Sequence, residues 1–191
     1  MNIYLLRHAQ SDPDRYLPES DWPLSSAGRM QADELVTVLQ TLDIDGLVSS
    51  PYLRALKTIE PFSRHTSLEI VVDERLRERS LPREDAGHLI PHDIYYSWIE
   101  HSWKDFNYAP PGGETFLDCQ QRMLAVINDY RQKAAHQNLL LCSHGNAISL
   151  VLHHLDSDFS LENWRNMPNP ELYEIHCDGE SFYWNKLFIY H

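Results

Sequence analysis

Asn2-Ile3-Tyr4-Leu5-Leu6-Arg7-His8 opens the chain and decides how the rest is read. Asn2 to Leu6 is a short, nearly unbroken apolar run, which predicts a strand buried on both faces, ended by the charged pair Arg7-His8. Similar runs at Gly46–Ser49, Leu68–Val72 and Leu139–Cys142 predict three more strands. Between them lie helical patterns. One runs from a Ser25 or Ser26 cap to about Leu42, with Leu35, Val38, Leu39 and Leu42 at helical spacing. Others cover Tyr52 to about Arg64 behind Pro51, Glu114 to about Ala135, and Gly145 or Asn146 to about His154. The chain end reads as a hairpin, with strands near Leu172–His176 and Phe182–Ile189 and a turn at Asp178-Gly179. Strands alternating with helices predict an α/β fold, a three-layer αβα arrangement around a mostly parallel sheet. Ligands bind beyond the carboxyl ends of such strands. His8, Ser50-Pro51 and His144 each follow a predicted strand, so three strand ends deliver them to one sheet edge.

A length of 191 residues suits one domain over 1–191. Residues 79–113 differ in kind, with Tyr95, Tyr96, Trp98, Trp103, Phe106, Tyr108 and four prolines. They read as a short, cap-like, loop-rich insertion with a helix near Asp93–His101. The net charge of −12 argues against nucleic acid and anionic membrane partners, both of which need basic patches. No apolar run is long enough for a membrane helix, and the first is too short for a secretory signal, so a cytoplasmic location is expected. The cysteines, Cys119, Cys142 and Cys177, are odd in number and far apart, as reduced thiols are. A metal site is not expected. His88 and His92 are split by Pro91, and His153-His154 face two directions.

Cleaving a phosphate ester needs a nucleophile, positive charge on the phosphoryl oxygens and an acid for the leaving oxygen. A neutral imidazole such as His8 can attack phosphorus, and the guanidinium of Arg7 matches phosphate oxygens. Arg54 sits one turn into the second helix. His144, between strand and helix, adjoins a helix N-terminus that favours anions. Glu78 lies in a run of charges, Glu74 to Arg79. Each alone is equally an ordinary polar residue: a strand-end histidine, or a solvated charge.

Taken in order, the motifs are more specific. Leu5-Leu6-Arg7-His8-Ala9-Gln10-Ser11 resembles the signature of the histidine phosphatase superfamily, the phosphoglycerate mutase-like proteins. Pro23-Leu24-Ser25 with Gly28-Arg29 and Gln31-Ala32 is similar to the family's lead into its first helix. Ser49-Ser50-Pro51-Tyr52-Leu53-Arg54-Ala55 with Thr58 resembles its second-arginine motif. Leu76-Arg77-Glu78, Pro111-Gly112-Gly113-Glu114 and Ser143-His144-Gly145 follow in the family's order. The resemblance implies a phosphoglycerate mutase-like fold and a phosphohistidine mechanism that uses no metal and no cofactor. It implies His8 as nucleophile, Glu78 as proton donor and acceptor, and Arg7, Arg54 and His144 as the phosphate pocket. From its place beside a helix N-terminus, a protonated His144 is expected to hold a phosphoryl oxygen. Two positions depart from the family. Ala9 replaces the usual glycine, a small change expected to be accommodated. Asp14 stands where asparagine is frequent, so its carboxylate must point away or the contact is lost.

The family holds mutases and phosphatases. Mutases add basic residues in a longer insertion, whereas 79–113 offers only Arg79, Arg83 and Lys104 against Glu84, Asp85, Asp93, Glu100 and Asp105. Hydrolysis of a small phosphorylated metabolite is therefore expected. The alternatives are a phosphoglycerate mutase-type phosphotransferase and a non-catalytic phosphate-binding protein. The aromatic rings of the insertion either stack on substrate or build the insertion's own core.

Overall fold

A computed structural model describes residues 1–81, 90–133, 135–178 and 181–187. Six strands form one sheet: β1 (Asn2–Arg7), β2 (Gly46–Ser49), β3 (Ile70–Val72), β4 (Asn138–Ser143), β5 (Glu171–Asp178) and β6 (Ser181–Leu187), in the order β3-β2-β4-β1-β5-β6. The first four strands in that order run parallel. β5 and β6 add an antiparallel pair at one edge, which is the expected hairpin. Gly179 of its turn, and Phe188 and Ile189 of its second strand, lie outside the described residues.

Side chains of a strand alternate between faces, and here both faces are covered. Ile3 and Leu5 of β1, Val48 of β2, and Leu139 and Leu141 of β4 enter one core cluster. They meet Met123, Val126 and Ile127 of α4 (Phe116–Lys133) and Ile148, Val151 and Leu152 of α5 (Gly145–Leu155). Tyr4, Leu6, Leu47, Leu140 and Cys142 enter the other cluster. They meet Leu35 and Leu39 of α1 (Ser26–Leu39) and Ala55, Ile59 and Phe62 of α2 (Leu53–Thr66). Burying each large aliphatic side chain contributes about 1.5–3 kcal/mol, so both faces specify the register.

Strand order then places the site. β1 sends the chain into α1 on one face, while its neighbour β4 sends it into α5 on the other. The two chains part beyond Arg7 and Ser143, which are register partners. The crevice where connections diverge is where such sheets bind ligands.

Two helix starts refine the sequence reading. Ser25 caps α1, its Oγ accepting the Gly28 N–H at 2.9 Å. The long helix begins at Phe116, with Thr115 Oγ1 accepting the Asp118 N–H, which releases Glu114 for another task. The helix of the insertion, α3 (His92–Lys104), is where the sequence predicts one. Trp103 and Phe106 pack edge-on against Phe116 of α4, with His153 of α5 alongside. Tyr95 and Tyr96 pack on Trp164 of α6 (Leu161–Arg165), a short helix with a Ser160–Asn163 capping box that sequence reading missed. Tyr95, Tyr96, Trp103 and Phe106 of the insertion thus join the main core. Residues 82–89, including Arg83, Glu84, Asp85 and His88, lie outside the described residues. Among the described residues no helix is long and apolar enough to cross a membrane.

Candidate active site

The crevice at the ends of β1 and β4 gathers all five residues singled out from sequence. His8 is 7% exposed and His144 fully buried, their ring centres 5.1 Å apart. The Nδ1–H of His8 donates to the Ala9 carbonyl oxygen at 2.7 Å. That fixes the tautomer, so Nε2 carries the lone pair, and it accepts from Arg54 Nε at 3.1 Å. Burial pushes His8 well below the usual histidine range, and the guanidinium of Arg54 adds to the shift. The ring is a neutral imidazole, the form that can act as a nucleophile.

Backbone contacts hold this residue in place. Its N–H donates to Ser143 O, and its carbonyl accepts from Asn169 Nδ2 at 2.7 Å. The Ala9 N–H donates to Thr58 Oγ1 at 2.9 Å, and that hydroxyl donates to Arg54 O, which links the nucleophile loop to α2. The methyl of Ala9 is buried with Leu24 and Ala32, so the replaced glycine is accommodated. The Asp14 carboxylate accepts the Tyr16 N–H within its own loop.

Arg54 is 3% exposed. Besides His8, it donates through Nη1 to Glu19 O at 2.6 Å and through Nη2 to Glu19 Oε1 at 2.8 Å. Arg7 donates to the carbonyl oxygens of Met167 and Pro168. Its Nε is buried with no hydrogen-bond partner among the described residues, and so is Nδ1 of His144. Buried polar atoms of this kind need a partner, and a phosphoryl oxygen is of the right type. The other nitrogen of His144, Nε2, is 2.7 Å from Ser50 Oγ. Burial, then Arg54 and His8, push His144 well below its ordinary range, so in this state it is neutral and not the cation read from sequence.

Glu78 is placed differently from a charge in a solvated run. Its carboxylate accepts the N–H groups of Asn146 and Ala147, each at 3.1 Å, and of Arg79 at 2.8 Å. The α5 N-terminus, read from sequence as an anion site, thus gives two donors to Glu78 itself. The residue that delivers Glu78 is Arg122 of α4. It donates to the carbonyl oxygens of Arg75, Arg77 and Glu78 at 2.6–3.1 Å, and its guanidinium pairs with Glu114 at 2.7 Å. Sequence reading missed Arg122, which sits in an ordinary polar stretch of helix. It used Glu114 only as a helix start and as part of a motif. Glu19 was missed too, as a polar loop residue without a pattern. Arg79, counted as a basic group of the insertion, is 1% exposed, and its Nε donates to Glu114 O at 2.8 Å. It is buried, and its Nη1, like Arg7 Nε, has no hydrogen-bond partner among the described residues.

Comparisons with known proteins show what the chain is similar to. The family model of the histidine phosphatase superfamily (branch 1) matches residues 3–189. A Hydrogenobacter thermophilus protein named "Putative phosphoserine phosphatase 2" is 31% identical over 198 residues, covering 97% of this chain and 95% of its own. A Proteus mirabilis protein named "Probable phosphoglycerate mutase GpmB" is 28% identical over 162 residues, 80% of this chain and 73% of its own. The mycobacterial glucosyl-3-phosphoglycerate phosphatase, solved with VO3, superposes with a TM-score of 0.76 at 27% identity, covering 97% of this chain and 96% of its own.

Proposed function

Because the chain belongs to the histidine phosphatase superfamily, we propose that it hydrolyses a small phosphomonoester through a phosphohistidine on His8. The observation that carries this reading is the state of His8: neutral, with Nδ1–H tied to Ala9 O and the Nε2 lone pair turned to Arg54. Arg54 and Arg7 bind the phosphoryl oxygens, with His144, whose Nδ1 has no partner among the described residues, beside them. Nε2 of His8 forms the bond to phosphorus while the ester P–O bond breaks, and Glu78 gives a proton to the departing alkoxide. Water then attacks phosphorus and loses a proton to Glu78. Inorganic phosphate leaves, and His8 returns to its neutral form. Nothing in this route calls on a metal or cofactor.

Hydrolysis is favoured over transfer by the charge of the pocket. Glu19 pairs with Arg54, and Glu78 acts on Arg7. A bisphosphate or glycerate phosphate needs further cations for its second anionic group. In this proposal the chain is a single domain, with 79–113 as a cap-like insertion and a cytoplasmic metabolite as substrate.

The test is phosphate release from a panel of phosphomonoesters and bisphosphates in excess chelator, with His8→Ala in parallel and acid- and base-quenched samples assayed for bound phosphate. Expected are release by the wild type alone and a bound phosphate that survives base but not acid. Release by His8→Ala would remove the nucleophile. Transfer without release would replace hydrolysis with the mutase reading.

A further inference from the structure

The two outer nitrogens of Arg54, Nη1 and Nη2, both donate to one residue, Glu19, through its backbone oxygen and its carboxylate. An arginine presents this edge to an anion as a planar fork. Glu19 Oε1 therefore occupies a position that a phosphoryl oxygen requires. Glu19 opens a short 3-10 turn, Glu19–Asp21, in the loop after β1, and its side chain keeps 27% of its exposure, against 4% for Arg54. The carboxylate is on the solvent side of the guanidinium and is the partner that can yield. The backbone contact can stay and keep Arg54 oriented.

Once a phosphoryl group takes the Nη2 edge, the Glu19 carboxylate stands next to a phosphate dianion. It then repels any further negative charge on the substrate and attracts positive charge. The rings of Tyr52 and Trp22 turn their faces to the Arg54 guanidinium, 4.8 and 5.6 Å from its carbon, so the attraction for a substrate cation rests on the Glu19 carboxylate. Burial, then the charges of Glu19 and Glu78, push the Tyr52 phenol up to about 12.

On the reading of this site as a phosphatase, we infer that Glu19 is a specificity-determining residue. It surrenders the anion-binding edge of Arg54 to the phosphoryl group and selects esters whose alcohol carries an ammonium group near phosphorus. Esters with a second anionic group and no cation are disfavoured by the same carboxylate.

The experiment is competition against para-nitrophenyl phosphate turnover by two near-isosteric esters, ethanolamine phosphate and ethylene glycol monophosphate, and by inorganic phosphate. Wild type is compared with Glu19→Gln, which keeps an oxygen for Arg54 Nη2 and the backbone contact. The wild type is expected to bind the amine ester about tenfold more tightly, the scale of one charged hydrogen bond. In Glu19→Gln the two esters are expected to bind alike, and inorganic phosphate several-fold more tightly than in the wild type. Equal binding of the two esters by the wild type would overturn the inference. So would an amine preference that persists in Glu19→Gln. Failure of the phosphatase reading is visible separately, as an absence of His8-dependent turnover of para-nitrophenyl phosphate. The ester preference is then read by calorimetric titration of the same two proteins.

Discussion

Arg54 Nε donates to His8 Nε2 across 3.1 Å, so the guanidinium of one residue guards the lone pair of the other. The contact orients the ring together with the Ala9 carbonyl and keeps it from accepting a proton. In the proposed mechanism a phosphoryl group displaces this contact, which frees Nε2 for phosphorus while Arg54 stays held by its backbone contact to Glu19.

Stability should respond to pH through His8 and His144. Both have folded-state values well below the unfolded value near 6.5. Above about pH 6.5 neither state takes up a proton at these rings. As pH falls below that point the unfolded chain gains protons that the folded chain refuses. Stability is therefore lost on acidification, by about 1.4 kcal/mol per pH unit for each histidine, until the folded-state value is reached. Urea unfolding at pH 7.5 and 5.5 measures this, with His144→Asn beside the wild type. The variant should lose less, and an identical loss would mean that His144 is protonated in the fold.

Glu78→Gln separates acid catalysis from binding. Hydrolysis of an alkyl phosphate should fall by about 10²–10⁴ because its alkoxide must be protonated. An aryl phosphate, whose oxide leaves unaided, should lose far less. The amide oxygen still accepts from α5, so the fold survives. Equal losses on both substrates would take Glu78 out of the acid role.

Arg122→Leu should cost about 3–5 kcal/mol, since it leaves a mostly buried Glu114 carboxylate without its closest partner. Three carbonyl groups of the 75–78 segment also lose their donor. Turnover of alkyl esters should fall with little change in inorganic phosphate inhibition, because Glu78 is displaced and the arginines are not. Chemical denaturation and steady-state kinetics check both halves. A stability change below about 1 kcal/mol would show that the segment holds itself.

Gly28→Ala probes the contact between helix α1 and the nucleophile loop. A Cβ at Gly28 would lie 1.9 Å from Gln10 O, a backbone atom that also accepts from Ser25 N. Relief requires moving the loop that carries His8, at about 1–3 kcal/mol. A lower melting temperature and reduced kcat are expected. Wild-type values for both would show that the loop yields freely.

Much of this fold was legible because burial leaves a periodic mark. The runs at β1, β2 and β4 are apolar at successive positions, as strands covered on both faces must be, and they place His8 and His144 at strand ends. β3 is less distinct: its Val71 and Val72 are half exposed at a sheet edge, and the strand is shorter than its apolar run. Motif order pointed to the five site residues, since their types and sequence are tied to one chemistry.

The sequence by itself determined the alternation of strands and helices, the apolar faces they bury and the candidate residues that the motifs mark. These are local properties, written in side-chain type and spacing. Only the tertiary structure decided that Glu78 is held by the α5 N-terminus, 68 residues away, and that Arg122 clamps its segment. It alone decided that Glu19 lies on Arg54 and that His144 is neutral. Those outcomes depend on strand order and on the field of charges converging in a water-poor crevice, and no spacing along the chain encodes either.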